Sequence, residues 1–139
     1  TRAPLYVAAG YSPRTEAHKV ARRSRQTCEA FAISVRFADA HGLDRDKVAE
    51  VVSNGQLGSD NVRIRAAKLA ARDFTAHSAI RNVLDSLGRT GVAATAVNCA
   101  LPLTERTLQL LRDTVQLGHA DADMIALYHA IERSGPGEK

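Results

Sequence analysis

Apolar positions recur along this chain at the three- and four-residue intervals of helices, in segments separated by Gly, Asn and Pro. The longest segment, Arg14 to His41, has no Pro or Gly and is long enough for about seven turns. Its second half is apolar nearly all round: Ala30, Phe31, Ala32, Ile33, Val35, Phe37 and Ala38 leave only Ser34, Arg36 and Asp39 polar. Such a helix is expected to be packed against on several sides, with Gly42 ending it as a left-handed cap. Asp44 then caps a second helix with Val48, Val51 and Val52 on one stripe, closed at Asn54-Gly55. Ser59 caps a third, Asp60 to about Arg72. A fourth segment, about Thr75 to Ala96, keeps the period with Ile80, Val83, Leu84 and Leu87, although Gly88 and Gly91 weaken it by about 1 kcal/mol each. Thr104 is the expected cap of a fifth helix carrying Leu108, Leu111 and Val115, which breaks at Gly118. Asp121 is the expected cap of a sixth, with Met124, Ile125, Leu127, Tyr128 and Ile131. The pattern predicts an all-α domain of six helices, spanning 14–133 and built on the long N-terminal one.

The flanks read differently. Residues 1–13 open with one extended-looking run, Leu5-Tyr6-Val7, and a loop at Gly10 and Pro13; 134–139 read as a disordered tail. A lone strand without a partner, after Thr1 rather than Met, reads as the end of a preceding domain or a linker.

Composition adds little beyond an ordinary globular chain of 139 residues, enough for one domain with a real core. No apolar run reaches the length of a membrane span, and no signal-peptide pattern opens the chain. Cys28 and Cys99 have no CxxC spacing and are expected as buried thiols, with cytoplasm as the compartment. Charge changes the picture more. Arg14, Lys19, Arg22, Arg23 and Arg25 stand against Glu16 alone, so this one stretch holds the net charge of +4 and the rest is near neutral. Such a patch suits an anionic small molecule, a phosphate-bearing cofactor or nucleic acid. Nucleic acid is disfavoured, because no helix-turn-helix spacing and no interleaved aromatics for base stacking accompany the patch.

The candidate chemistry is sparse. His18, His41, His77, His119 and His129 are scattered without zinc-ligand spacing, so no metal is expected. The chain has no glycine-rich phosphate loop and no serine nucleophile elbow. Lys19 is the one side chain with a catalytic argument: cationic neighbours lower a lysine's proton affinity towards neutral pH, while the bland alternative is one solvated charge among five.

From Ala38 onward the chain resembles the C-terminal helical domain of the β-hydroxyacid dehydrogenases, the family of 3-hydroxyisobutyrate and tartronate semialdehyde dehydrogenases, whose C-terminal domain is like that of 6-phosphogluconate dehydrogenase. The matching pieces stand in the family's order: AHGLD (40–44), KVAEVVSNGQLGS (47–59), ARDF (71–74), LPLT (101–104) and LGHADADMIALY (117–128). The resemblance implies an oxidoreductase that oxidises a small β-hydroxy acid with NAD or NADP. It implies too that an N-terminal Rossmann domain, absent from this chain, holds the dinucleotide, and that the helical domain closes the cleft and forms a homodimer or homotetramer.

The resemblance also implies site residues, in two registers. Counted without gaps, the family's glycine pair falls on Tyr11 and Pro13, its catalytic lysine on Ala17 and its asparagines on Val20 and Ala21. A second register places the lysine at Lys19, with Arg22 and Arg23 as carboxylate-binding residues in place of the asparagines. It needs a two-residue deletion further along the helix, which rotates the downstream face by about 200°. The family's second lysine is replaced, since Leu84-Asp85 stands where a Lys-Asp pair belongs. The alternative reading is a non-catalytic helical oligomerisation or binding module whose basic helix meets an anionic partner.

Overall fold

The computed structural model describes residues 25–56 and 58–135. Among them are six α-helices: α1 (Arg25–Ala40), α2 (Arg45–Asn54), α3 (Asp60–Ala70), α4 (Ile80–Thr95), α5 (Pro102–Gln116) and α6 (Leu127–Arg133), the last preceded by a 3₁₀ turn at Met124–Ala126. The domain is all-α, as the apolar spacing predicts. Among the described residues no helix is long and apolar enough to cross a membrane.

Helix α1 is the common element, and α2, α3, α5 and α6 all pack on it. Phe31, Ala32 and Val35 of α1 meet Ala49, Ala66, Leu69, Ile125, Leu127 and Tyr128 in one core cluster. Ile80, Val83, Leu111, Met124 and Ala126 form a second, and Phe74 lies against both. The expectation that α1 is enclosed on several sides holds for one face only. Ile33 is 48% exposed and Phe37 62% exposed, while Phe31, Ala32, Val35 and Ala38 are buried.

Several helix ends follow the expected chemistry. Asp44 accepts the amides of Asp46 and Lys47, and Ser59 accepts that of Val62. Gly42 closes α1 at φ +65°, with the Leu43 amide reaching the Ala38 carbonyl at 2.8 Å. Gly118 closes α5 at φ +89° in the same way. After α3 this position is filled by Arg72 at φ +52°, a conformation uncommon for a residue with a Cβ.

Other expectations are corrected. Helix α4 begins at Ile80 rather than Thr75, because the chain before it is drawn into an extended path against 120–124. There the Ile80 amide donates to the Ala122 carbonyl, Asp123 to that of Phe74 and Met124 to that of Ser78. Helix α5 begins at Pro102, not after a Thr104 cap, since proline needs no amide partner in the first turn. Asp121 pairs with Arg81 on the surface, and the capping carboxylate is Asp123. Val51 is exposed, with Val48, Ala49 and Val52 forming the inward stripe of α2. Cys99 is exposed too, contrary to the expectation of a buried thiol, as is the rest of the α4–α5 connection from 96 to 100.

Candidate functional site

Lys19, Arg22 and Arg23, the residues carrying the candidate chemistry, lie outside the described residues, as do Leu5-Tyr6-Val7. What the structure shows is the scaffold downstream of them, and its polar groups gather at three places.

The first is Asp123, which is wholly buried. One carboxylate oxygen accepts the amides of His77 and Ser78 at 2.8 and 3.0 Å, and the other that of Ile125 at 3.2 Å. The side chain thus holds the 74–79 strand-like segment against the 3₁₀ turn. It is a buried acid whose described partners are all backbone donors, and it has no open face for a substrate.

The second joins the end of α1 to α6. The Tyr128 hydroxyl donates to Asp39 at 2.6 Å, the Arg45 guanidinium pairs with the other Asp39 oxygen, and Arg72 lies 3.8 Å from the carboxylate. Arg72 also sits over the Tyr128 ring at 5.5 Å and donates to its hydroxyl at 3.4 Å. Burial alone would raise the Asp39 carboxyl, but Arg45 and Tyr128 outweigh it and leave it below the usual carboxylate range. Burial, with Asp39 beside it, pushes Tyr128 up to about 12. Neither group is poised to exchange a proton near neutral pH.

The third is a ring stack. His129 lies between Phe74 and His119, with centroids 4.6 and 4.5 Å away. Burial, then the neighbouring His119, lowers the His129 pKa, so the neutral imidazole is favoured.

On α4, at the place of the family's second lysine, Leu84 packs against the second core cluster, and Asp85 makes a surface ion pair with Arg89 at 2.6 Å. That position carries no charge to offer a substrate. Among the described residues no three His, Cys, Asp or Glu side chains are placed to hold a metal ion.

The starts of α2, α3 and α4 offer no free amides to a nicotinamide dinucleotide. A pyrophosphate seeks a glycine-rich turn and free amides at a helix start. Here Asp44 occupies the start of α2 and Ser59 that of α3, and the first amides of α4 are bonded to Ala122 and Ala120. Gly88 and Gly91 are inside α4.

Sequence reasoning located the basic stretch but missed the Asp39–Tyr128 pair, which joins residues 89 apart. The available signal was Asp39 itself, an acid within an apolar half-helix.

Comparison with known proteins bears on residues 20–131, which match the family profile described as NAD-binding of NADP-dependent 3-hydroxyisobutyrate dehydrogenase. The fold is similar to the crystal structure of 3-hydroxyisobutyrate dehydrogenase from Salmonella typhimurium, with a TM-score of 0.73 and 22% sequence identity over 81% of this chain. This chain spans only 40% of the length of that one. No curated protein matches the chain.

Proposed function

The chain belongs to the family of the C-terminal helical domain of 3-hydroxyisobutyrate dehydrogenase, and on that premise we propose that it serves an NAD(P)-dependent oxidation of a small β-hydroxy acid. The observation that carries this reading is the continuity of the family pattern over residues 20–131, on a fold of the same architecture. Because this chain spans 40% of the length of the structurally similar enzyme, we assign most of the dinucleotide's binding to a companion domain, with this domain closing the substrate cleft and joining copies of the enzyme.

Lys19 is the residue we assign to take the substrate's hydroxyl proton, with Arg22 and Arg23 holding its carboxylate. The spacing i, i+3 and i+4 is that of one helical face. Two guanidiniums beside a lysine favour its neutral form, as a general base requires. A guanidinium also matches a carboxylate with two parallel hydrogen bonds, which asparagine cannot offer.

The test is turnover of the native-length protein with NAD and NADP over a set of β-hydroxy acids. Lys19→Ala is expected to lower kcat by about 10²–10⁴-fold, the usual worth of a positioned base, while Arg22→Gln and Arg23→Gln raise KM more than they lower kcat. Unchanged kcat in Lys19→Ala would remove the assignment. One observation favours a second reading, a non-catalytic helical module: Leu84, partly buried, packs against the core where the family carries a lysine. Absence of turnover with every acid, by a protein that is folded and binds no dinucleotide, would select that reading.

A further inference from the structure

We propose that Asn54-Gly55, the joint between α2 and the turn to α3, is a site of spontaneous covalent modification at which the asparagine converts to aspartate and isoaspartate. The Gly55 backbone nitrogen loses its proton and attacks Asn54 Cγ. The new N–Cγ bond closes a succinimide ring as the Cγ–Nδ2 bond breaks and Nδ2 leaves as ammonia. Water then opens the ring at either carbonyl, giving aspartate or, with the chain routed through Cβ, isoaspartate. Nothing is oxidised or reduced, and water is the only co-reactant.

The reaction needs an attacking amide that is not hydrogen-bonded, room around that nitrogen and a carboxamide free to turn. The chain has four asparagines, Asn54, Asn61, Asn82 and Asn98. After Asn61 the Val62 amide donates to Ser59 Oγ at 3.3 Å. After Asn82 the Val83 amide donates to the Ala79 carbonyl at 3.1 Å, and after Asn98 that of Cys99 donates to the Ala94 carbonyl at 2.9 Å. The Gly55 amide has no such acceptor among the described residues. The other helix ends show how unusual this is. The residue following each of α1, α3, α4, α5 and α6 donates its amide to the carbonyl four positions back, at 3.0–3.2 Å, and among the described helices α2 alone lacks that closing bond. Room follows the same division, since Gly55 has no Cβ whereas Val62 and Val83 carry branched side chains beside the nitrogen. Asn54 is exposed and its carboxamide has no partner among the described residues, while that of Asn61 is held by Arg65.

The conversion alters the fold where it occurs. Asn54 is the last residue of α2, whose last turn has no basic side chain. Aspartate there sets a full negative charge against the partial negative charge of the helix end. Isoaspartate adds a backbone atom to a turn without slack. The Gly58 amide donates to the Gly55 carbonyl at 2.8 Å, and even a Cβ at Gly58 would collide with the Ser53 carbonyl. Helices α2 and α3 reach the core around Phe31 through Ala49, Ala66 and Leu69, so the modification loosens both from it. The inference does not depend on the enzymatic reading.

The test is incubation of the native-length protein near neutral pH, with each asparagine followed by peptide mass spectrometry. Asn54 is expected to gain the amide-to-acid mass difference at least about tenfold faster than Asn61, Asn82 or Asn98, as its open glycine neighbour requires. Raising the pH should speed the conversion, because the attacking nitrogen must lose its proton. Asn54→Gln, which would have to close a larger ring, is expected to lose the mass gain at this position. The converted protein, separated by charge, should unfold at a lower urea midpoint than the unconverted protein. Asn54 unchanged in the folded protein while it converts in urea, similar rates at all four asparagines, or a urea midpoint unaltered by conversion would each overturn the proposal.

Discussion

Asp123 and Asp39 each tie together parts of the chain far apart in sequence, one through backbone amides and the other through side chains. Asp123 is fully buried and receives three amides, two of them from residues 46 and 45 positions earlier in the chain. Asp39 keeps 12% of its side chain exposed and receives Tyr128 and Arg45, with Arg72 close by. A carboxylate bonded to amides dictates the path of the chain, because the groups it holds belong to the backbone itself. A carboxylate bonded to long side chains fastens elements that are already formed, and its partners can turn to solvent. The same residue type therefore decides where α4 begins in one place and how firmly α6 lies on α1 in the other.

The largest effect is expected from Asp123→Ala. It takes the acceptor from the amides of His77, Ser78 and Ile125, the last of them in a closed interior, and should cost roughly 2–4 kcal/mol in urea denaturation. Asp123→Asn retains one acceptor oxygen and is expected to cost about half as much. A cost under 1 kcal/mol for Asp123→Ala would break the comparison. Next comes Asp39→Ala, expected at about 1.5–3 kcal/mol, with Tyr128→Phe at about 1 kcal/mol. The double variant should show a coupling of about 1 kcal/mol, and strictly additive losses would mean that the 2.6 Å bond contributes nothing.

The smallest effect concerns the stack of Phe74, His129 and His119, which borders the segments that Asp123 organises. The folded-state pKa of His129 is lowered, so the unfolded chain binds its proton more tightly. The stability this group contributes is complete above the unfolded value of about 6.5 and is lost as pH falls below it. Thermal melts should show stability declining from pH 7 to pH 5, a slope that His129→Phe flattens. An unchanged slope in His129→Phe would place the decline elsewhere.

Much of the fold was legible because local chemistry and packing agree along most of the chain. Asp44, Ser59, Gly42 and Gly118 sit where the sequence pattern puts helix ends, and the apolar spacing marks all six helices. The boundaries that moved were those set by distant partners. Asp121 and Asp123 are equivalent as caps in sequence, and only the approach of 77–78 makes Asp123 the buried one. Arg72 in a left-handed position has no local signal, since glycine is the residue expected there. The exposure of Ile33 and Phe37 was hidden because apolar composition shows that a helix face avoids water, not what covers it. Of the candidate site, Lys19, Arg22 and Arg23 were legible only as a basic cluster, and their roles came from resemblance to a family. The departure at Leu84 was visible in sequence, and the structure shows its side chain packed, partly buried, against the second core cluster.

The central claim is that this helical domain serves a dehydrogenase whose dinucleotide is held by a companion domain. The intact mass of the native protein, purified from its source, tests it most directly. The account predicts a mass of at least about twice the 14.9 kDa of this chain, as follows from its covering 40% of the structurally similar enzyme. A native mass of 14.9 kDa would mean that the protein has no companion domain and would contradict the account.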